Sequence, residues 1–176
     1  MRSDFRVVHY SIQSNHVHFV IEAANADELG RGMKALGARF ARVVNRVFGS
    51  RGAVLRDRYH LKILRTPRQV RNAIAYVLTN IRKHRAQRGL ATPPQIEPAS
   101  SGRWFADWAG EVLLARDPPV DSAARSWLLR FGWLRWGRIA LAETPRRREA
   151  RLDRRDAHRA ELAEPIVARD LLRFLP

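Results

Sequence analysis

Two histidines separated by a single residue are the side chains in this sequence best suited to chemistry. His16 and His18 lie in the segment HVHFVI. Strand side chains alternate between two faces, so in a β-strand both imidazoles project from one face and Val17 projects from the other. Two neutral imidazoles on one rigid face can bind one transition-metal cation side by side. Alone, His-x-His is a weak signal, because most histidines are ordinary surface or hydrogen-bonded residues.

A helix later in the chain offers a nucleophile and a third ligand. Tyr76 and Asn80 are four residues apart and therefore share one helix face, which is rotated away from the apolar stripe. The amide oxygen of Asn80 is a hard donor that suits Mg²⁺ or Mn²⁺. His84, one further turn along, is an alternative third ligand. The plain interpretation is a tyrosine at the rim of the core and an asparagine on the surface.

The composition indicates a polyanionic partner. Lys and Arg total 33 against 17 Asp and Glu, which gives a formal net charge of +16. Nearly all of this charge is arginine, whose guanidinium suits phosphate oxygens and base edges. The chain has no cysteine, so thiolate metal sites and disulfides are excluded. We find no signal peptide and no apolar run long enough to span a membrane, and we expect a cytoplasmic protein.

Local patterns predict the elements that position these residues. Residues 5–22 are typical of two short strands with a turn at 13–15. A helix is predicted over 27–48, and a strand over 58–65. A second helix is predicted from Pro67 to about His84.

The helix predicted over 27–48 has an apolar stripe and a basic face. Its apolar residues recur at intervals of three and four: Leu29, Met33, Leu36, Phe40, Val43 and Val47. Its basic face and the following strand are predicted to contact nucleic-acid phosphates. The residues assigned to DNA binding are Arg31, Lys34, Arg42, Arg46, Arg58, Lys62 and Arg65.

The rest of the chain divides by composition. We predict a main domain over 1–90 and a Pro- and Ser-rich linker over 91–102. Residues 103–142 contain all five tryptophans and are predicted to form a helical extension, with a base-stacking surface as the alternative. Residues 143–176 mix both signs of charge densely and are predicted to be a helical or partly disordered tail.

Three ordered segments carry a resemblance to a known family. They are YSIQSNHVHFVIEA, GSRGAVLRDRYH and LRTPRQVRNAIAYVLTNIRKH, which together span about residues 5–88. In this order they resemble the REP-associated tyrosine transposases of bacteria, within the single-tyrosine HUH superfamily. The resemblance implies an α+β fold with a ferredoxin-like antiparallel sheet and helices on one face. It also implies a catalytic tyrosine at Tyr76 and metal ligands at His16, His18 and Asn80.

The resemblance further implies an activity. Family members are metal-dependent single-strand DNA endonucleases and strand transferases, which act on single-stranded DNA bearing palindromic hairpins. The expected chemistry is nicking and rejoining through a 5′-phosphotyrosine intermediate, with Mg²⁺ or Mn²⁺ as cofactor.

Two features of the sequence depart from the family pattern. Relatives usually begin with an additional strand and helix, whereas only MRSD precedes Phe5 here. From this we expect a sheet with an unpaired strand edge, which dimerisation with a second copy would complete. The other departure is Asn80, at a position where glutamine is common in the wider superfamily.

Two other classes of function remain as alternatives. The first is a non-catalytic, truncated or domesticated protein that binds DNA hairpins without cleaving them. The second is a basic RNA-binding or ribosome-associated protein, which fits the charge but leaves the spacing of the histidines and Tyr76 unexplained.

Overall fold

A four-stranded antiparallel sheet and two long helices form the body of the protein in the computed structural model. The structure describes residues 4–55, 60–87, 89, 95–143 and 166–173, of which 81–87, 166 and 168–173 are described by their backbone alone. The strands are β1 (Phe5–Ile12), β2 (His16–Ala23), β3 (Lys62–Leu64), β4 (Trp108–Ala109), β5 (Ile139–Ala140) and β6 (Ile166–Arg173). The α-helices are α1 (Ala26–Phe48), α2 (Pro67–Gln87) and α3 (Trp127–Arg130). The protein is therefore α+β, as the sequence predicts.

The first two strands form the predicted hairpin. β1 and β2 pair antiparallel, and the turn lies at the predicted polar residues, where the Gln13 amide donates to the His16 carbonyl at 2.8 Å. The third strand, predicted over 58–65, covers 62–64 as β3, and residues 60, 61 and 65 lie outside it. Residues 56–59 lie outside the described chain. Both long helices are found where the sequence predicts them.

A strand from the charged tail lies inside the sheet. The strand order is β1-β2-β6-β3, and β6 is antiparallel to both of its neighbours. The expectation of an unpaired edge beside β2 is wrong, because β6 hydrogen-bonds along the whole of it. A second copy is thus not needed to complete this sheet. The prediction of a helical or disordered tail is also wrong for 166–173, and residues 144–165 lie outside the described chain.

The two long helices cover opposite faces of the sheet. Val17, Phe19 and Ile21 of β2 pack in one cluster with the first turns of α1. Val20 of the same strand packs with α2 in the other cluster. The expectation of helices on one face is therefore wrong for α1 and α2. Alternation along β2 places its odd-numbered residues toward α1 and its even-numbered residues toward α2.

Helix α1 is longer than the sheet it covers. The Asn25 side chain caps its first turn by accepting from the Glu28 amide, and Gly49 ends it in the left-handed conformation. Its 23 residues span about 34 Å, whereas the eight residues of β2 span about 26 Å. The stripe is consequently buried only in the first half. Val43 and Val47, which the sequence predicts as core, are 56% and 70% exposed.

Helix α2 lies within the larger core. A capping box defines its start: the Gln69 amide donates to Thr66 Oγ1, and Gln69 Oε1 accepts from the Thr66 amide. Between Val70 and Asn80 most of the helix is buried, and it packs on β1 and β2. Its core residues are Val70, Ala73, Ile74, Ala75, Val77 and Leu78.

The tryptophan-rich segment packs into the same core as α2. Phe105, Trp108 and Trp133 are buried there, with the rings of Phe105 and Trp133 stacked at 5.8 Å. The segment contains short helical turns and a two-stranded parallel ladder of β4 and β5. It forms an irregular layer on α2, so the helical extension predicted for 103–142 is not confirmed.

A buried glutamate fastens this layer to the centre of the sheet. Glu22 of β2 is fully buried, and its carboxylate oxygens accept from the Arg125 amide at 2.8 Å and the Ser126 amide at 2.6 Å. The residues just before this layer, within the segment predicted as a linker, cover the outer edge of β1. There, Ser101 Oγ accepts from the Tyr10 amide at 3.0 Å and Ala99 accepts from the Ile12 amide at 2.9 Å. This cover blocks an otherwise open strand edge.

None of the helices in the described part of the chain is long and apolar enough to cross a membrane.

Candidate active site

The two histidines lie where the alternation of β2 predicts them. His16 and His18 both point toward the α2 side of the sheet, and their ring centroids are 4.7 Å apart. His18 is 4% exposed, whereas His16 at the start of the strand is partly open. The prediction that both imidazoles share one face, opposite Val17, is confirmed.

The ring of His16 is oriented by its neighbour. Its Nδ1 lies 2.6 Å from Asn15 Oδ1. An amide oxygen only accepts hydrogen bonds, so Nδ1 is the donor in the tautomer that makes this contact. Metal-binding histidines are commonly held in this way, with one ring nitrogen donating to an oxygen. The hairpin turn therefore supplies an oxygen that can orient the His16 ring.

Tyr76 meets the histidines from α2. Its ring centroid lies 5.0 Å from that of His18, and the two rings are nearly perpendicular, at 80°. Packing of α2 on the even-numbered face of β2 creates this contact, since Val20 and Ile74 belong to the same buried cluster. The Tyr76 side chain is half-buried and is thus reachable from solvent. The fold therefore brings together the strand histidines and the helix tyrosine, which were predicted from separate parts of the sequence.

Asn80 is buried one turn after Tyr76. It is 1% exposed, and neither its amide oxygen nor its amide nitrogen has a hydrogen-bond partner in the described part of the chain. Leaving such a group unsatisfied costs about 1–3 kcal/mol. Orphaned buried polar atoms are rare and require an explanation. The interpretation of Asn80 as an ordinary surface residue is therefore wrong.

The donor set of this site fits a divalent cation. Imidazole nitrogens suit transition metals, and the orphaned amide oxygen of Asn80 is a hard donor of the kind that Mn²⁺ and Mg²⁺ take. Among the described residues, no group of three or more His, Cys, Asp or Glu side chains could hold a metal. The alternative ligand, His84, has a side chain outside the described part of the structure.

The basic residues predicted to bind DNA divide between the two faces of the sheet. The α1 residues are exposed, and they lie on the helix that covers the face opposite Tyr76: Arg31, Lys34, Arg42 and Arg46. Lys62 of β3 has the same parity as Leu64, whose side chain packs with α2, so Lys62 lies on the histidine face. Arg65 is exposed beside the start of α2, and Arg58 lies outside the described residues. The structure does not bring all seven together at one site.

Two buried polar residues on the histidine side of the sheet were not found from the sequence. Ser11 of β1 is in register with His18 and is 1% exposed, and its hydroxyl accepts from Gln13 Nε2 at 2.7 Å. Ser11 could have been recognised by its position opposite His18, but that position is known only once the register of the hairpin is known. Glu22 was also missed, although it continues the period of two from His16 and His18.

The other described tyrosine is placed differently. Tyr10 of β1 packs with the cluster under α1, on the far side of the sheet from His18. Burial, and next the nearby carboxylate of Asp121, raise the pKa of the Tyr10 phenol. Tyr10 therefore has neither the location nor the acidity of a nucleophile at the histidine site. Tyr59 lies outside the described residues.

Comparison with known proteins gives no relative: no family model, no characterised protein and no solved structure matches this chain.

Proposed function

We propose that this protein nicks and rejoins hairpin-bearing single-stranded DNA, with Tyr76 as nucleophile and a divalent metal held by His16, His18 and Asn80. The observation that carries the proposal is the ring contact of 5.0 Å between His18 and Tyr76. It brings a two-histidine strand face against a tyrosine that has a buried amide one turn away. This combination is what phosphodiester transfer by a tyrosine requires: an oxygen nucleophile beside a cation site.

The ligand set is proposed from the chemistry of its donors. Asn15 orients the His16 ring through Nδ1, and Asn80 has an amide oxygen with no hydrogen-bond partner in the described part of the chain. A bound Mg²⁺ or Mn²⁺ would supply Lewis acidity to a phosphate oxygen beside Tyr76. With two of its ligands on β2 and one on α2, the site would also fix the distance between strand and helix.

The proposed reaction exchanges one phosphate ester bond for another. The phenol oxygen of Tyr76 attacks phosphorus in line, and its proton is lost to solvent. The bond from phosphorus to the 3′ oxygen breaks, and that oxygen leaves as a 3′-hydroxyl after taking up a proton. The downstream strand remains attached to Tyr76 through its 5′ phosphate. Attack by another 3′-hydroxyl reverses these steps and needs no external energy source, because the phosphotyrosine conserves the energy of the phosphodiester.

We also propose that the sheet is ferredoxin-like. In the order β1-β2-β6-β3, the unit β2-α1-β3 is a split βαβ whose two parallel strands enclose a third, antiparallel strand. This arrangement supports the family resemblance, because it keeps the histidine strand inside the sheet.

The proposed DNA contacts follow from the division of charge. Lys62 and Arg65 lie on or beside the histidine face and would grip phosphates close to the cleaved bond, whereas the basic surface of α1 would hold DNA further away. We place this activity in the cytoplasm.

The test is a covalent adduct. The full chain is incubated with a hairpin-bearing single strand, labelled at either end, and with Mg²⁺ or Mn²⁺. We expect the 5′ end of the downstream fragment to become attached to the protein and the other fragment to carry a free 3′-hydroxyl. Tyr76→Phe removes the adduct, whereas Tyr10→Phe, the matched control on the other face, leaves it unchanged.

Three outcomes contradict this proposal in different ways. Undiminished adduct with Tyr76→Phe means that another residue is the nucleophile. Equal cleavage in the presence of a chelator removes the metal. A wild-type chain that binds hairpins tightly yet never forms the adduct supports the non-catalytic alternative, in which the protein only holds the hairpin.

A further inference from the structure

The segment between Asp121 and Glu143 is basic and aromatic. It contains four arginines and no acidic residue. Three of its large rings remain open to solvent: Trp127 is 41% exposed, Phe131 53% and Trp136 49%. Exposed rings of this size next to cationic side chains are unusual in a segment that also supplies Leu129 and Trp133 to the core.

Each of the three open rings lies under an arginine. The guanidinium carbon of Arg135 is 5.0 Å from the Trp127 ring centre, that of Arg130 is 4.8 Å from Phe131, and that of Arg68 in α2 is 5.0 Å from Trp136. We name these six residues the arginine–aromatic patch: Arg68, Trp127, Arg130, Phe131, Arg135 and Trp136. The arginines keep a positive charge over each ring, and one face of each guanidinium can stack on a further planar group.

The patch is held rigidly against α2. Trp127 lies so close to Gly132 that a Cβ atom there would be 2.6 Å from its ring. Arg71 of α2 ties down the end of the segment through two hydrogen bonds to the Glu143 carboxylate and one each to the carbonyls of Gly137 and Arg138. A stacking surface needs this rigidity, since ordering loose rings would cost binding energy.

The patch leads along α2 toward Tyr76. Arg68, Asn72 and Tyr76 follow one another at intervals of four residues and therefore lie side by side along the helix. Arg68 contacts Trp136 at one end of this row, and Tyr76 contacts His18 at the other. The two ends are about 12 Å apart along the helix axis. Asn72, between them, is exposed.

We propose that the arginine–aromatic patch binds the unpaired flank of the DNA strand whose phosphate reaches Tyr76. Bases stack on Phe131 and Trp136, and Arg68, Arg130 and Arg135 neutralise the phosphates beside them. An acidic protein surface would match the charge but would leave the flat, exposed rings without planar partners, whereas every base has a π-face. The inference rests on the proposed function for the identity of the strand, and it can be tested without cleavage.

The experiment measures binding of a fluorescent oligothymidine to the full chain by anisotropy. Phe131→Ala and Trp136→Ala should each weaken binding about tenfold, as expected for loss of one base–aromatic stack. Phe48→Ala is the matched control, because Phe48 is 77% exposed at the far end of α1 and takes part in none of the arginine–ring contacts among the described residues. The control should bind like wild type.

A second variant separates stacking from charge. Arg68→Lys keeps the positive charge but removes the planar group over Trp136, so affinity should fall severalfold while the salt dependence of binding stays the same. Arg68 is exposed and the substitution is conservative. The proposal therefore remains testable if Trp136→Ala disturbs the fold. Circular dichroism and urea unfolding monitor the fold of each variant.

The outcomes distinguish this inference from the proposed function. If the patch variants lose oligothymidine binding while wild type never forms the Tyr76 adduct, the patch stands and the nuclease proposal falls. If wild type forms the adduct but Phe131→Ala, Trp136→Ala and Arg68→Lys all bind oligothymidine like wild type, the patch proposal is overturned. Displacement by polyglutamate, but not by oligothymidine, would also overturn it, in favour of an acidic protein.

Discussion

The two faces of the sheet are built differently, although the same strand contributes to both. Toward α1, β2 presents Val17, Phe19 and Ile21, and their cluster is apolar. Toward α2, the same strand presents His16, His18 and Glu22 around Val20. The buried polar residues on this second side also include Ser11, Thr79 and Asn80.

The difference shows on which face of the sheet buried polar groups lower the stability of the fold. Thr79 and Glu22 are satisfied by backbone groups, so their burial is structural: Thr79 Oγ1 donates to the Ala75 carbonyl, and Glu22 accepts two amides. Asn80 has no such explanation. A face that buries polar groups without pairing them is a candidate for function, whereas the α1 face only has to be stable. Four predictions test this comparison.

The largest effect should come from the apolar face. Phe19→Ala removes a ring that is 5% exposed and should lower the free energy of unfolding by about 3–5 kcal/mol, because it leaves a cavity under α1. Urea unfolding measures the change. Phe48→Ala should stay within about 0.5 kcal/mol of wild type, since it is a surface substitution. A small loss for Phe19→Ala would mean that α1 packs loosely on the sheet.

Glu22→Gln should cost about 2–3 kcal/mol. A glutamine has one acceptor oxygen in place of two, so either the Arg125 or the Ser126 amide loses its partner. Hydrogen exchange at these two amides should speed up together with the loss of stability. Asp27→Asn, on the surface of α1, is the control with the same loss of charge. Unchanged exchange would show that Glu22 does not fasten the tryptophan-rich layer.

His9 should make stability depend on pH. Burial lowers the pKa of His9 from 6.5 to about 4, with its ring edge on Phe105. The unfolded chain therefore takes up the proton first, so the contribution of His9 is complete above pH 6.5 and is lost as the pH falls toward 4. Between pH 7 and 5 this loss amounts to about 2 kcal/mol. His9→Leu should remove that part of the pH dependence, and identical profiles would contradict it.

The smallest expected effect is a gain in stability, and it concerns the candidate active site. Asn80→Leu should raise the stability of the metal-free protein by about 1–2 kcal/mol, because a branched apolar side chain of similar shape replaces an unsatisfied amide. Asn72→Leu, on an exposed position of the same helix, controls for the higher helix propensity of leucine. If Asn80→Leu is less stable than Asn72→Leu, the amide is a structural group and not a ligand.

Local periodicity was sufficient for the parts of the site that lie within single elements. The alternation of HVHFVI places His16 and His18 on one face, and the four-residue interval places Tyr76 and Asn80 on one side of α2. The apolar stripe of α1 overestimates how much of the helix is buried, because periodicity shows which side is apolar but not how far the sheet beneath it extends. Val43 and Val47 lie beyond that point.

Features that depend on distant parts of the chain were not predictable from local patterns. The segment 166–173 mixes apolar and charged residues, and nothing in its own pattern says that two strands far away lack a partner between them. Whether α1 and α2 cover the same face depends on chain connection, which periodicity does not encode. The burial of Asn80 was likewise not predictable from the helix pattern, because it depends on which elements pack on α2.

The central position of β6 also sets the order in which the protein can mature on the ribosome. His18 is paired with a residue about 150 positions later in the chain. At usual rates of translation this interval takes roughly 10–30 s, during which the histidine strand has been made but lacks its inner neighbour. The nascent chain must therefore carry an apolar strand with one unpaired edge during that interval. Chaperones that shield such edges should determine how much of this protein a cell obtains.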